Sequence, residues 1–212
     1  DEFTIAAIAS GAYGESSPYL VFSNIIYGYF VTFLQSLVPA VNWYMVTQLV
    51  FCFVCAVILC YIFYEKYGGY VGTLVCVSLL FILSLNHYVL LQFSKNSAFI
   101  SLVGFLMVLY ALQKGRSNGW IAWGIFFACV GFMIRYNSFF VVACFLFFLC
   151  LIDLLVKQRF SFRREYWKKN LRYIVSFVIL LACAAALFLV NSAAYNRDPA
   201  WKYFMEYSET RS

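Results

Sequence analysis

Between residues 42 and 191 the chain is a series of long apolar runs joined by links of a few residues, a pattern that leaves few architectures open. In hydrocarbon every backbone N–H and C=O must find its partner within the segment, so such runs fold as helices. About 20 apolar residues cross the hydrocarbon core, and six runs of this kind are readable, at 42–63, 70–88, 97–113, 119–134, 138–156 and 172–191. The link at 157–171 is the one long, strongly basic connection. Composition agrees: 65% of the 212 residues are hydrophobic, 22% aromatic and only 11% charged, and the mean hydropathy of +0.84 lies far outside the range of soluble domains. The expected fold class is all-α, a polytopic transmembrane helical bundle.

The net charge of +6 does not point to nucleic acid, because the basic residues gather in connecting loops rather than on a face. Lys66, Lys114, Arg116, Lys157, Arg159, Arg163, Arg164, Lys168, Lys169 and Arg172 fall at one set of junctions, and Lys95, Arg135, Arg197, Lys202 and Arg211 at the other. The first set is the larger, so the positive-inside rule makes its face cytoplasmic, and the run at 42–63 enters from outside. The eight cysteines lie within apolar runs without the partners a metal site requires, and read as small buried hydrophobes.

Residues 1–41 precede the bundle. An acidic pair, Asp1-Glu2, leads into FTIAAIAS, which places Phe3, Ile5, Ala6, Ile8 and Ala9 largely on one face, as in a short helix lying on the membrane surface. Gly11 to Gly14 breaks it, and Pro18 opens an uncharged stretch that reaches Pro39. That stretch is long enough to span. Its Ser23, Asn24, Gly28, Thr32, Gln35 and Ser36, with the short link to the next run, equally fit a packed interfacial or re-entrant helix. If it crosses, the acidic pair is cytoplasmic; if it does not, the pair is external.

An acidic pair, a surface helix, a second helix opened by proline and a ladder of spans together resemble the GT-C glycosyltransferases, membrane enzymes that use polyprenyl-phosphate-linked sugars, such as protein mannosyltransferases and aminoarabinose transferases. Asp1-Glu2 matches the acidic motif that ends the family's first transmembrane helix. Residues 3–10 and 18–38 match its two external juxtamembrane helices, and Ser17-Pro18-Tyr19-Leu20 looks like a degenerate Pro-Pro-Leu element. The chain has no initiator Met and ends at Thr210-Arg211-Ser212, so the expectation is a piece of a larger protein whose first helix precedes Asp1. Phe93-Ser94-Lys95-Asn96 lacks the second carboxylate of many members, which leaves the divalent metal an open question. The resemblance implies a GT-C-like bundle in a cell membrane of bacterial type, an active site on the external face, a polyprenyl-phosphate sugar donor, and a lipid, glycan or protein acceptor.

The residues suggest the same chemistry. Moving a sugar from a lipid phosphate to a hydroxyl needs a carboxylate to accept the acceptor's proton and cations to hold the phosphate as charge develops on it. Asp1 or Glu2 supplies the base; as neighbouring acids they raise each other's pKa, and the other reading of the pair is a solvated loop. Arg135, set as Ile134-Arg135-Tyr136 between two apolar runs, and Lys95 are the phosphate candidates, because each is a cation at an external end where the charge rule disfavours it. A headgroup-snorkelling residue is the alternative for Arg135. Arg197 adds a third phosphate contact, with Lys202 and the lone His87 as accessory candidates. After residue 191 the chain begins an external segment in which Trp201, Tyr203, Phe204 and Tyr207 form an aromatic face. The basic run 157–172 contacts anionic membrane lipid. Two other classes stay open: a transporter or flippase of a lipid-linked or hydrophobic solute, and a non-catalytic assembly subunit.

Overall fold

The computed structural model describes residues 2–12, 14–89, 92–156, 171–197, 199 and 201–203, without the side chains of residues 2, 89 and 150–156. Asp1, the Glu2 side chain, the basic run 157–170, Asp198, Phe204 and Tyr207 therefore lie outside the described residues. Everything described is helix, turn or irregular chain. Among the described residues eight α-helices follow in order: α1 Glu2–Ser10, α2 Ile25–Leu37, α3 Trp43–Tyr67, α4 Gly69–Ser84, α5 Phe93–Lys114, α6 Asn118–Ile134, α7 Tyr136–Val156 and α8 Leu171–Arg197. A π-helical turn, Leu85–Val89, extends α4.

Among the described residues, four helical segments are long and apolar enough to cross a membrane: Trp43–Tyr67, Gly69–Tyr88, Phe93–Lys114 and Leu171–Arg197. At 17 residues, α6 is shorter. The centre of the bundle is α5, whose spanning window is 72% buried against only 6% for α4. It packs on α6 at backbone distance, since a Cβ on Gly104 would lie 2.4 Å from the Ala128 nitrogen and one on Gly124 2.9 Å from the Gly104 oxygen. Such small-residue contacts let helices associate where hydrocarbon supplies no hydrophobic drive.

Hydrogen bonds sort the helix ends. At one, the Arg135 end, the start of α5 meets the α6–α7 junction through Ser94 and Arg135, and the segment before α2 meets α6 and α8. At the other, the Arg116 end, the end of α3, the α5–α6 turn and the start of α8 meet through Glu65, Arg116 and Arg172. Lys95 and Arg135 thus sit at one end and Arg116 and Arg172 at the other.

The N-terminal helices differ from expectation in detail. In α1, Ile5, Ala6 and Ala9 are buried, but Phe3 is 81% exposed, off the packed face. Gly11, at φ +77°, ends α1 with bonds from its own amide to Ile8 O and from Ala12 N to Ala7 O, the Schellman arrangement. Pro18 does not open the second helix. That helix starts at Ile25, because the Asn24 side chain accepts the Ile26 amide and caps it. Residues 18–24 instead fold back over the helix: Pro18 O lies so close to Gly28 that a Cβ there would come within 1.8 Å of it. With 13 residues, α2 extends only about 20 Å, too short to cross the hydrocarbon, and α8 continues past residue 191 to Arg197.

Candidate functional site

Between α6 and α7 the chain turns on a single residue. Arg135 is extended (φ −157°, ψ 106°), and α7 begins at the next position. So abrupt an end leaves the last carbonyls of α6 without helical partners, and other elements supply them. The Asn24 amide donates to Met133 O at 2.7 Å, and Ser23 Oγ to Ile134 O at 3.0 Å. Ser97 Oγ lies 2.8 Å from Gly131 O and 3.0 Å from Arg135 O. The backbone that carries Arg135 is therefore fixed by α5 and by the segment leading into α2.

The half-buried guanidinium is held as firmly. Its carbon lies 4.8 Å from the Phe93 ring centre and 6.0 Å from that of Phe22, rings that stack on each other at 5.9 Å, and it donates to Ser94 Oγ. The rings offer their negative π faces to the cation, and of its five N–H donors one is taken by Ser94. Among the described residues no carboxylate pairs with it. What results is a positioned guanidinium whose in-plane donors suit an oxyanion.

The other candidates are less closely gathered. Lys95 follows Ser94 on the first turn of α5 and is exposed. Arg197 is exposed in the last turn of α8, which Tyr195 ties to the same end by donating to Leu20 O at 2.8 Å. Lys202 is exposed beside Trp201, which stacks on Tyr19 at 5.3 Å. Glu2 opens α1, which packs on α2 and α3. Among the described residues no three His, Cys, Asp or Glu side chains come together as a metal-ligand group. Of the cysteines, Cys52 and Cys55 are buried as expected, but Cys144 is exposed on the outer surface of α7.

His87 belongs to a separate cluster. It lies on the π-helical turn, 7% exposed, with Nδ1 2.8 Å from Asn96 Oδ1 and its ring 4.6 Å from that of Phe99. Asn96 Nδ2 donates to Gln48 Oε1 at 3.1 Å, and Gln48 donates to Tyr44 O at 3.3 Å. With its amide nitrogen committed to Gln48, Asn96 offers its oxygen to the imidazole, so Nδ1 is the donor in this bond. Next to this chain, Tyr27 of α2 pairs with Thr47 at 2.8 Å. Asn96 faces this cluster while Ser94 and Ser97 face Arg135, so α5 separates the two groups.

Sequence reasoning missed Phe22, Phe93 and Ser94 around Arg135, and Gln48 and Asn96 around His87. Their signal was available for the last two: amides within or at the mouth of apolar runs need partners there. Comparison with known protein families, with curated proteins and with solved structures finds no match.

Proposed function

We propose that the chain is a multi-pass membrane glycosyltransferase of GT-C type, inverting, which takes a sugar from a polyprenyl-phosphate donor at the Arg135 end, on the external face of the membrane. The observation that carries this reading is the guanidinium of Arg135, seated on Phe93 and Ser94 without a carboxylate partner among the described residues. A cation near a low-dielectric surface calls for an anion, and a lipid phosphate at that depth supplies one. The short α2 supports it too, since a helix that does not cross keeps α1 and its acidic start at the same end.

In the proposed step Asp1 or Glu2 accepts the proton of the acceptor hydroxyl. The hydroxyl oxygen then attacks the anomeric carbon opposite the phosphate, the bond from that carbon to the phosphate oxygen breaks, and the phosphate leaves with the electron pair. Arg135 donates to it as its charge grows, with Lys95 and Arg197 adding to the local positive potential. The acceptor is a lipid, glycan or protein hydroxyl.

The test is single-turnover transfer from a polyprenyl-phosphate sugar in nanodiscs. Asp1→Asn or Glu2→Gln, whichever removes the base, lowers transfer by about 100-fold or more while donor binding persists. Full activity in both variants ends the assignment of the pair. The buried His87–Asn96–Gln48 chain favours the second reading, a transporter, because polar groups inside a membrane bundle mark solute paths. Lipid or solute movement without glycosyl transfer would decide for it.

A further inference from the structure

At the Arg116 end a cavity of about 520 Å³ lies between α3, α5 and α6, well within the roughly 300–1,000 Å³ of pockets that hold small ligands. Val54, Ile58, Met107, Trp120, Trp123 and Phe127 form its walls. Met107 and Phe127 are buried, whereas Trp123 is 58% exposed, so the cavity opens sideways through the apolar flank of the bundle.

Past the cavity, the helices that line it change character. On α3 the stripe Val54, Ile58, Tyr61, Glu65, and on α5 the stripe Met107, Tyr110, Lys114, each repeat at three or four residues and so share a face. Both pass from hydrocarbon through a tyrosine to a charge. Trp120 bridges the two tyrosines, stacked on Tyr61 at 5.5 Å and edge-on to Tyr110 at 5.9 Å. Beyond this aromatic collar, Tyr110 donates to Glu65 and Arg116 pairs with Glu65 at 2.5 Å. Arg172 bonds the Arg116 carbonyl and, at 2.9 Å, Asn118 Oδ1. Among the described residues, Lys66, Lys114, Arg116 and Arg172 stand at this end against one acid, Glu65, so the rim they form is cationic.

We propose that this cavity binds one acyl chain of an anionic phospholipid, with the headgroup phosphate at Lys114 and Arg116. An apolar slot open to the side, a collar of tyrosine and tryptophan and a net-positive rim follow the order of chain, interface and headgroup in such a lipid. A neutral hydrophobic solute has no use for the rim, and a zwitterionic lipid has no net charge to meet it. The site lies at the end of the bundle opposite Arg135 and stands or falls independently of the glycosyltransferase reading.

The test is tryptophan quenching in phosphatidylcholine vesicles. A variant with Trp43, Trp167 and Trp201 changed to Phe keeps Trp120 and Trp123 as reporters. Phosphatidylglycerol with brominated chains quenches it with an association constant about fivefold above that of brominated phosphatidylcholine, the worth of one charge near a surface. Lys114→Gln, at an exposed position, brings the ratio towards one. Gly119, on the cavity wall, has room for a side chain, because a Cβ there meets only Ser117 Oγ at 3.6 Å; Gly119→Leu therefore lowers the quenching by both lipids. The unsubstituted protein serves as a second route: native mass spectrometry after detergent extraction retains one phosphatidylglycerol in preference to phosphatidylcholine. Equal quenching by the two lipids, or a preference untouched by Lys114→Gln, overturns the proposal and leaves ordinary boundary lipid.

Discussion

The side chain of Asn191 accepts the backbone amide of Ile25 at 2.8 Å, across 166 residues of sequence. One residue earlier, Asn24 Nδ2 donates to Leu187 O at 2.9 Å, so the two asparagines each satisfy the other element's backbone. With Asn24 and Ser23 also capping the end of α6, a helix too short to cross a membrane is fastened at the Arg135 end by α6 and α8 together. Position is thereby given to Phe22, which packs on Phe93 beside Arg135.

Asn24 carries most of this joint. Asn24→Ala removes the cap of α2 and the bond to Leu187, and is expected to cost about 2 kcal/mol. Asn24→Asp keeps the acceptor for Ile26 but turns a carboxylate towards the Leu187 carbonyl, so it should be no better than alanine. Unfolding of the detergent-solubilised protein measures both, and an aspartate variant of normal stability would show that the bond to α8 contributes little.

The α5–α6 contact makes a second expectation. In Gly104→Ala the new methyl meets the backbone of Ala128 and Gly124 at 2.4 and 2.7 Å, which only a shift of the whole helix relieves. The loss should lie near the upper end of overpacking costs, about 3 kcal/mol. Gly119→Ala is the control: with open space around it, it should leave stability unchanged or raise it by up to about 1 kcal/mol through helix propensity. Equal behaviour of the two glycines would contradict the close packing.

These contacts show where the sequence is informative and where it stops. Apolar runs separated by short links revealed the main helices, because in hydrocarbon the backbone has no other way to satisfy itself. The start of α2 was misplaced, since Pro18 is a general helix-start signal whereas Asn24 acts through its own side chain and through α8. Arg135 was legible from its position between two apolar runs. Its setting was not, because Ser94 lies 41 residues before it in sequence and only the packing of α5 against α6 brings them together. His87 likewise gave no hint that Asn96, nine residues on, would turn back to it across the π-helical turn.

That turn leads to a third expectation. Asn96 is fully buried between His87 and Gln48, so Asn96→Ala strands two polar groups and should cost about 2–4 kcal/mol. His87→Phe, which keeps a ring against Phe99, should recover part of that loss in the double variant, because one of the stranded groups is gone. Strict additivity of the two changes would mean that His87 and Asn96 do not interact.

Topology can be examined without any assumption about activity. Single cysteines at positions 95 and 197, in a background free of the native eight, should label from one side of the membrane, and a cysteine at 114 from the other. All three sit on exposed residues at helix ends. Labelling of 95 and 114 from the same side would undo the alternating arrangement and, with it, an external site at Arg135.

The last expectation concerns the anchor itself. Arg135 sets its guanidinium carbon 4.8 Å from the Phe93 ring centre and 6.0 Å from that of Phe22 and donates to Ser94 Oγ, contacts that suit a delocalised cation better than a point charge. Arg135→Ala should weaken binding of a short-chain polyprenyl phosphate by about 10- to 100-fold, the worth of hydrogen bonds to a charged group. It should cost the fold about 1–2 kcal/mol, since the half-exposed side chain gives up its bond to Ser94 and its cation–π contacts, while the backbone bonds from Ser97 and the bond to Gly131 O remain. Arg135→Lys restores the charge but neither the stacking nor the paired donors, so it should recover only a small part of the affinity. Equilibrium binding in nanodiscs separates the cases. Lysine binding as tightly as arginine would reduce the site to simple electrostatics, and an alanine variant with unchanged affinity would move the phosphate away from Arg135.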